Sequence, residues 1–508
     1  MKVAFFTGFT TWKPHYETEL EIIQAHLDAG DTVIQYHCNS DLSACDANLG
    51  HTRMRCQNCM DRRNRGMQLI EGNVVQRRYV QLTPADRRQI DHFRGLRFNS
   101  IDELKALRFH GFDIGYAVLS SLVSHLREPR PDLVVHGELV GKLLGSALAV
   151  HCSVRDHIAQ EGIDRFYVFN GRFAILRAVL RACQEKGVEC FTHERGCNLD
   201  HYSIYPNTLP HDLRYWRSAI ERSWSEQQDT GLRATLAAKF FEDRAKGQVQ
   251  SWYSFVKDQL PDELPEGFDP SVRNIVIFNS SEDEFAAIDS SHGNDVYVDQ
   301  EQAIRQITKS VGELGAGYRL YLRSHPNLRT VHNSQTRFLD GFSSPALVMI
   351  PPSSTISTYA LLKHADLVIT FGSTMGIEAA YWGKPSVMVG SAFYAGLGAV
   401  YEPRTHEEVM RMVETGAEPL ANEGALKYGH YMSTFGKPYQ HYNQSGVVSG
   451  TFKGVPLDRD PMEGVDGRIS RSLRWRMIQL RNAYNDHRGR IALQGVRSWL
   501  FSLVWSPG

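Results

Sequence analysis

The sequence predicts an α/β chain in which two doubly wound parallel sheets face each other across a cleft, and three observations predict it. The 508 residues exceed what one hydrophobic core usually supports. Short apolar runs alternate with helix-length amphipathic segments in two separate stretches of the chain. Between those stretches the pattern changes to long polar helices with Trp216, Trp224 and Trp252, followed by the Pro-rich run QLPDELPEGFDP.

In the first stretch KVAFFTGF reads as a strand, ETELEIIQAHLDAG as a helix ending on Gly30, and DTVIQYHC as a second strand. A helical region from about Ser100 to Leu126 follows, then PDLVVHGE as a strand, a helix through Leu144 and Val150, RFYVFNG, the helix AILRAVLRACQEKG, and VECFTHERG. The second stretch repeats the alternation with RNIVIFNSS, a helix around Gln302 to Leu314, YRLYLRSHPN, LVMIPP, ADLVITFGS, the helix MGIEAAYWG, and KPSVMVG. Strands spaced by such helices imply parallel sheets covered on both faces. The expected organisation is a first Rossmann-like domain over 1–210, a helical connection over 211–270, a second Rossmann-like domain over 271–428 and a basic, helical segment over 429–508. The two halves share no recognisable repeat.

With 42% hydrophobic and 22% charged residues the composition is that of a globular enzyme and excludes collagen-like, mucin-like or disordered chains. Lys and Arg number 56 against 57 Asp and Glu, so no global field favours nucleic acid. The apolar run after Val3 is too short for a signal peptide, and no run approaches the roughly 18 residues of a bilayer span, so the expected location is the cytoplasm. The terminal arginines at 468, 471, 474, 476, 481, 488, 490 and 497 interleave with Trp475, Trp499, Phe501 and Trp505. This segment is expected either to pack on the domains or to make peripheral contact with the inner face of a membrane.

The strongest chemical signal is ADLVITFGSTMGIEAAYWG, a buried strand, a tight turn and a helix. Gly372 lets backbone approach a ligand, Ser373 and Thr374 offer hydroxyls, and the helix start favours phosphate. Glu378, about one turn further on, is expected to meet a ribose or sugar hydroxyl. The plainer alternative makes Ser373 an N-cap and Glu378 a surface charge. LYLRSHPN ends another strand with Arg323 and His325 on the same side. Ligands of open parallel sheets bind at the carboxyl ends of the strands, so these residues, the Ser373 turn, and Ser280 and Ser281 of FNSSEDEF should share one rim.

The combination of FNSSEDEF, LRSHPN, STYALLKHAD, FGSTMGIEAAYWGKPSV, VFNGR and HERG resembles the bacterial capsule and surface-polysaccharide glycosyltransferases of the GT-B fold. It is similar in particular to their Kdo-transferase and sialyltransferase-like groups. His-Pro stands 48 residues before the Gly-Ser-Thr turn, as a pair that CDP-glycerol-using teichoic-acid glycerophosphotransferases also share. The resemblance implies a nucleotide-sugar donor, cytidine-linked, on the second domain, and an inverting base from the first. The acceptor would be a glycan or its lipid-linked precursor. Glu194 of HERG is the first choice for the base, with Glu138 and His136 of VVHGE as alternatives. No DxD-like motif precedes the donor site, and no catalytic metal is expected. A nucleotide-sugar 2-epimerase is a second enzymatic reading, and a non-catalytic metal-binding scaffold in polysaccharide assembly a third.

Four of the eight cysteines, Cys38, Cys45, Cys56 and Cys59, lie in a C-x6-C-x10-C-x2-C pattern that departs from this resemblance. In a cytoplasmic chain they suggest structural zinc or an iron-sulfur cluster rather than disulfides.

Overall fold

Strands β1 (Lys2–Thr7), β2 (Thr32–His37), β3 (Val74–Arg78), β4 (Arg165–Phe169), β5 (Glu189–Arg195) and β6 (His201–Pro206) build a first sheet. A second sheet holds β7 (Arg273–Phe278), β8 (Tyr318–Arg323), β9 (Leu347–Ile350), β10 (Leu367–Thr370) and β11 (Ser386–Met388). The short strand β12 (Lys437–Pro438) returns to the first sheet, whose order is β12-β6-β5-β4-β1-β2-β3; the second runs β11-β10-β7-β8-β9. The computed structural model describes residues 1–293 and 296–458. Both sheets lie within one compact unit, Met1–Gly454. The α/β class and its parallel sheets are therefore as the alternation predicted.

Burial explains why the elements form where they do. In β1, β4, β7, β8 and β10 nearly every side chain is buried, as expected of strands covered on both faces. One face of the first sheet packs Phe6, Ile34, Phe166 and Val168 against the helices Gly137–Glu161 and Ala174–Lys186, and the other packs Val3, Phe5, Val33 and Tyr167 against Ile22 and Ile23. The second sheet divides in the same way, with Ile275, Ile277 and Leu322 on one face and Val276, Phe278 and Tyr321 on the other. Each fully buried Val, Leu, Ile or Phe stabilises by about 1.5 to 3 kcal/mol, so these layers fix the positions of the strand ends.

The connection contributes helices Leu213–Glu226 and Thr230–Ala245, which join Glu423–Thr434 in a cluster around Trp216, Ile220, Phe240, Phe241 and Tyr428. That cluster also contains Ile377 and Ala380. Helix Thr230–Ala245 is thereby held against the helix Met375–Tyr381 that follows the Ser373 turn.

The structure corrects one element and adds others. PDLVVHGE is not a strand: Asp132 Oδ1 accepts from the backbone N–H groups of Val134 and Val135 at 2.9 and 3.1 Å, which makes an Asp-led turn. Both valines are consequently exposed, by 74% and 72%. VVQRR, not singled out from the sequence, forms β3, and β6 and β12 add antiparallel pairings to the parallel sheet. The basic segment with its arginines from 468 to 497 lies outside the described residues. Among the described residues no helix is long and apolar enough to cross a membrane.

Candidate active site

The carboxyl ends of the second sheet are brought level by parallel register, with Phe278 opposite Arg323 in β7 and β8 and opposite Thr370 in β10. The chain leaves each strand into the wall of a cavity of about 300 Å³. Ser280, Ser281, Arg323, His325, Gly372, Ser373 and Thr374 all line it, so the expected rim is assembled. Gly372 is needed for its backbone: its φ is +109°, and a Cβ there would stand 2.3 Å from the carbonyl oxygen of Ser391.

The side chains divide the work differently from the sequence expectation. Arg323 Nη1 and Nη2 donate to the carbonyls of Pro351 and Ser354 at 2.8 and 3.0 Å, which spends most of the guanidinium on holding the loop after β9. Burial lowers its pKa to about 10. His325 is fixed by its backbone N–H, donated to Asn279 Oδ1 at 2.7 Å, and by Nδ1, which accepts from the N–H of Asn327 at 3.2 Å. Nε2 then carries the ring proton. Burial is the largest cause that pulls the His325 pKa down to about 4, so this ring is a neutral donor at pH 7.

Glu378 is neither a surface charge nor a ligand-facing carboxylate. It is fully buried, with Oε1 accepting from Arg244 Nε at 2.9 Å and Oε2 from the Tyr359 hydroxyl at 2.5 Å. Arg244 Nη2 also donates to Thr374 Oγ1 at 2.9 Å. Glu378 therefore holds Arg244 in the cavity wall, and Arg244 is the cation that sequence reading missed. It lies 134 residues before its partner on a helix whose polar pattern gave no sign of it. Ser373 Oγ accepts from the N–H of Met375 at 3.3 Å, as a cap would. A further wall comes from Trp252, Tyr253 and Phe255 of the connection, each exposed by 37% to 50%. They were not singled out as site residues because neither strand nor helix periodicity marks them.

Glu194 sits at the carboxyl end of β5. Its Oε2 accepts from Asn170 Nδ2 at 2.8 Å, its Oε1 accepts from the N–H of Arg195 at 3.1 Å, and His15 Nδ1 stands 3.4 Å from Oε1. Burial raises its pKa above the ordinary carboxylate value, while Asn170 and Arg195 oppose the rise. Its neighbours reach the cavity wall: Arg195 stacks over the Trp252 ring at 5.1 Å, and Arg172 Nη1 donates to the carbonyl of Glu284 at 2.9 Å. Gly196 keeps this strand end tight, since a Cβ there would meet His201 at 2.6 Å.

Glu138 and His136 are placed apart from this group. Because the expected strand is a turn, His136 precedes the helix Gly137–Glu161 and Glu138 lies in its first turn. The Glu138 side chain is 83% exposed and pairs with Lys142 at 2.6 Å. All four sequence-marked cysteines are free thiols, and among the described residues no group of three or more His, Cys, Asp or Glu side chains is placed to hold a metal ion.

Residues 289–422 match the family described as "Capsule polysaccharide biosynthesis protein". The matched segment carries β8 to β11 with both the LRSHPN and FGSTMGIEAAYWGKPSV stretches. Solved structures similar to the chain include the β-Kdo 2,4-transferase of Thermosulfurimonas dismutans KpsC, 16% identical over 53% of this chain and 80% of that one, with a TM-score of 0.34. The β-Kdo 2,7-transferase of the same protein is 17% identical over 55% and 80%, again with a TM-score of 0.34. The UDP-GlcNAc 2-epimerase of Neisseria meningitidis bound to UDP-GlcNAc is 11% identical over 87% and 96%, with a TM-score of 0.25. No curated protein matches the sequence.

Proposed function

We propose that this chain is a glycosyltransferase of capsule or surface-polysaccharide synthesis, moving a sugar from a nucleotide-linked donor to a glycan or lipid-linked glycan acceptor. The observation that carries the reading is the cavity at the carboxyl ends of β7, β8 and β10, within and beside the segment that matches the capsule family. The cavity combines Arg244, a neutral His325, the hydroxyls of Ser280, Ser373 and Thr374, and the aromatic wall of Trp252, Tyr253 and Phe255. Cation and N–H donors suit a nucleotide phosphate, and exposed rings suit a base or sugar face.

In this reading His325 Nε2–H and Arg244 meet the phosphate, and stabilise the charge that grows on it as the glycosidic bond breaks. Glu194 takes the proton of the attacking acceptor hydroxyl. Its burial favours proton uptake, while Asn170 keeps the carboxylate oriented. In the same reading a CMP-, CDP- or UDP-sugar occupies this cavity, and the His-Pro and Gly-Ser-Thr pair favours cytidine linkage.

Calorimetry with CMP-, CDP-, UDP-, GDP- and dTDP-sugars, followed by product analysis with and without a polysaccharide acceptor, tests the proposal. Binding of one nucleotide class and release of nucleotide only when acceptor is present are expected. Conversion of the sugar without any acceptor would instead make the chain an epimerase, and binding of no nucleotide sugar would remove the reading.

A further inference from the structure

A second cavity, of about 280 Å³, is not used by the proposed reaction, and its place follows from the first sheet. In register, Arg78 of β3 stands opposite His37 of β2, and His37 opposite Thr7 of β1. Phe6 of β1 stands opposite Val168 of β4, and Phe169 of β4 opposite His193 of β5. The carboxyl ends of these parallel strands are therefore level. Asp41, Leu42 and Ser43 of the cavity wall come from the segment after β2, and Val80 and Leu82 from the segment after β3. The cavity thus lies at the edge from which Glu194 emerges, four strand spacings from it in the order β5-β4-β1-β2-β3. Four spacings are about 19 Å. Ligands of open parallel sheets bind along that edge.

Two helices complete the walls. The helix Pro84–Gly95 starts two residues after Leu82, behind the capping box of Thr83 and Asp86, and lines the cavity with Arg87, Ile90, Asp91 and Arg94. Spacings of three and four residues put these on one face. The helix Gly137–Glu161 contributes Gly145, Ser146 and Ala149, whose small side chains leave the space open. Gly145 also receives the stem of Arg94, since a Cβ there would stand 2.6 Å from Arg94 Cγ. Ser146 Oγ accepts from the N–H of Ala44 at 3.2 Å and so fixes the wall at 41–43.

The charges of the walls differ in what they hold. Asp41 is committed, pairing with Arg78 and accepting from the N–H of Asn39 at 3.1 Å. The side chains of Arg87, Asp91 and Arg94 enter no hydrogen bond or ion pair among the described residues. Two guanidinium groups and one carboxylate are thus free beside the apolar Leu42, Val80, Leu82 and Ile90. Guanidinium forks suit a carboxylate, sulfate or phosphate, a carboxylate accepts from hydroxyls, and an apolar wall suits the C–H face of a sugar ring.

We propose that this cavity holds an anionic sugar residue of the glycan acceptor, several residues from the end that receives the new sugar. The inference rests on the glycosyltransferase reading and adds to it the charge of the acceptor. A glycan whose end meets Glu194 and which runs along the carboxyl ends of β4, β1 and β2 reaches the cavity at β3. Arg87 and Arg94 donate to its acid group, and Asp91 accepts from a ring hydroxyl. A neutral glycan gains nothing from the two arginines, so the acid group sets the preference.

The test uses the full chain without nucleotide, titrated in a calorimeter with a hexamer of galacturonic acid as the anionic probe and a hexamer of glucose as the neutral one. The anionic hexamer should bind at least about tenfold more tightly. Arg87→Gln and Arg94→Gln should each weaken its binding by about tenfold and leave the thermal unfolding midpoint in place, since neither side chain has a partner to lose. Nucleotide-sugar affinity should be unchanged in both. Arg244→Met, which alters the donor cavity, should retain the hexamer. Equal binding of the two hexamers, binding of neither, loss of the anionic hexamer in Arg244→Met alone, or its displacement by an equal concentration of inorganic phosphate would each overturn the proposal. Arginine-dependent binding of the hexamer by a chain that binds no nucleotide sugar would instead remove the glycosyltransferase reading and keep the glycan site.

Discussion

The carboxyl ends of β5 and β8 carry similar residues and do different things with them. His193-Glu194-Arg195 closes the first, and Arg323-Ser324-His325 the second. At β5 the histidine goes to the core, fully buried with neither ring nitrogen bonded, while the carboxylate is turned to Asn170 and His15. At β8 the arginine goes inward to two carbonyls and the histidine reaches the cavity. Strand alternation decides which residues share a side, but the partners supplied by the following loops decide which of them is available for chemistry.

Glu194→Gln should break the contrast most strongly. It preserves shape and the hydrogen bond from Asn170 in altered form, but removes the base, so turnover should fall by about 100-fold or more with donor affinity unchanged. Steady-state rates beside calorimetric donor affinity decide this, and near-normal turnover would return the role to a different group.

Arg244→Met asks whether the β8 side depends on a cation from outside its own sheet. Glu378 would remain buried with Tyr359 as its remaining partner, which should lower stability by about 2 to 3 kcal/mol and weaken nucleotide binding. Urea unfolding and calorimetry on the same variant read the two effects separately. Unchanged values of both would show that the pair is not coupled to the site.

At the two strand ends the histidines should differ in ligand dependence but agree in pH dependence. His325→Ala should weaken nucleotide-sugar binding about tenfold, corresponding to a neutral hydrogen bond of about 1 to 1.5 kcal/mol. Arg323→Lys should instead act mainly on the melting temperature. The pKa values of His193 and His325 are depressed to about 3 and about 4 from 6.5, so the unfolded chain binds protons that the folded chain refuses. Their contribution is present above about 6.5 and is lost as pH falls toward those folded values. His193→Leu should flatten the fall in stability across that window, as followed by denaturant unfolding at a series of pH values. Donor affinity, by contrast, should show no inflection near 6.5.

Glu138→Gln should have the smallest effect, within about 0.5 kcal/mol in stability, because it removes an exposed pair with Lys142. Its turnover should match that of the unaltered chain; a large loss there would break the contrast between the two regions from the other direction.

Hydrophobic alternation made most of the strands and both sheets legible, because side chains covered on both faces leave long apolar runs. The strand expected at PDLVVHGE failed where local chemistry opposed that pattern: Asp132 captured the N–H groups of the valines and turned them outward. The rim of Ser280, Ser281, His325, Gly372, Ser373 and Thr374 was legible too, since parallel strands of one sheet must end at one edge. What the sequence by itself determined was therefore which strand ends carry polar groups. Only the tertiary structure decided that Glu378 is a buried anchor, that Arg244 enters from the connection, and that Arg323 is committed to carbonyls. The physical reason is that a charged side chain near a strand end is claimed by whichever partner stands within about 3 Å, and those partners come from segments far away in the chain.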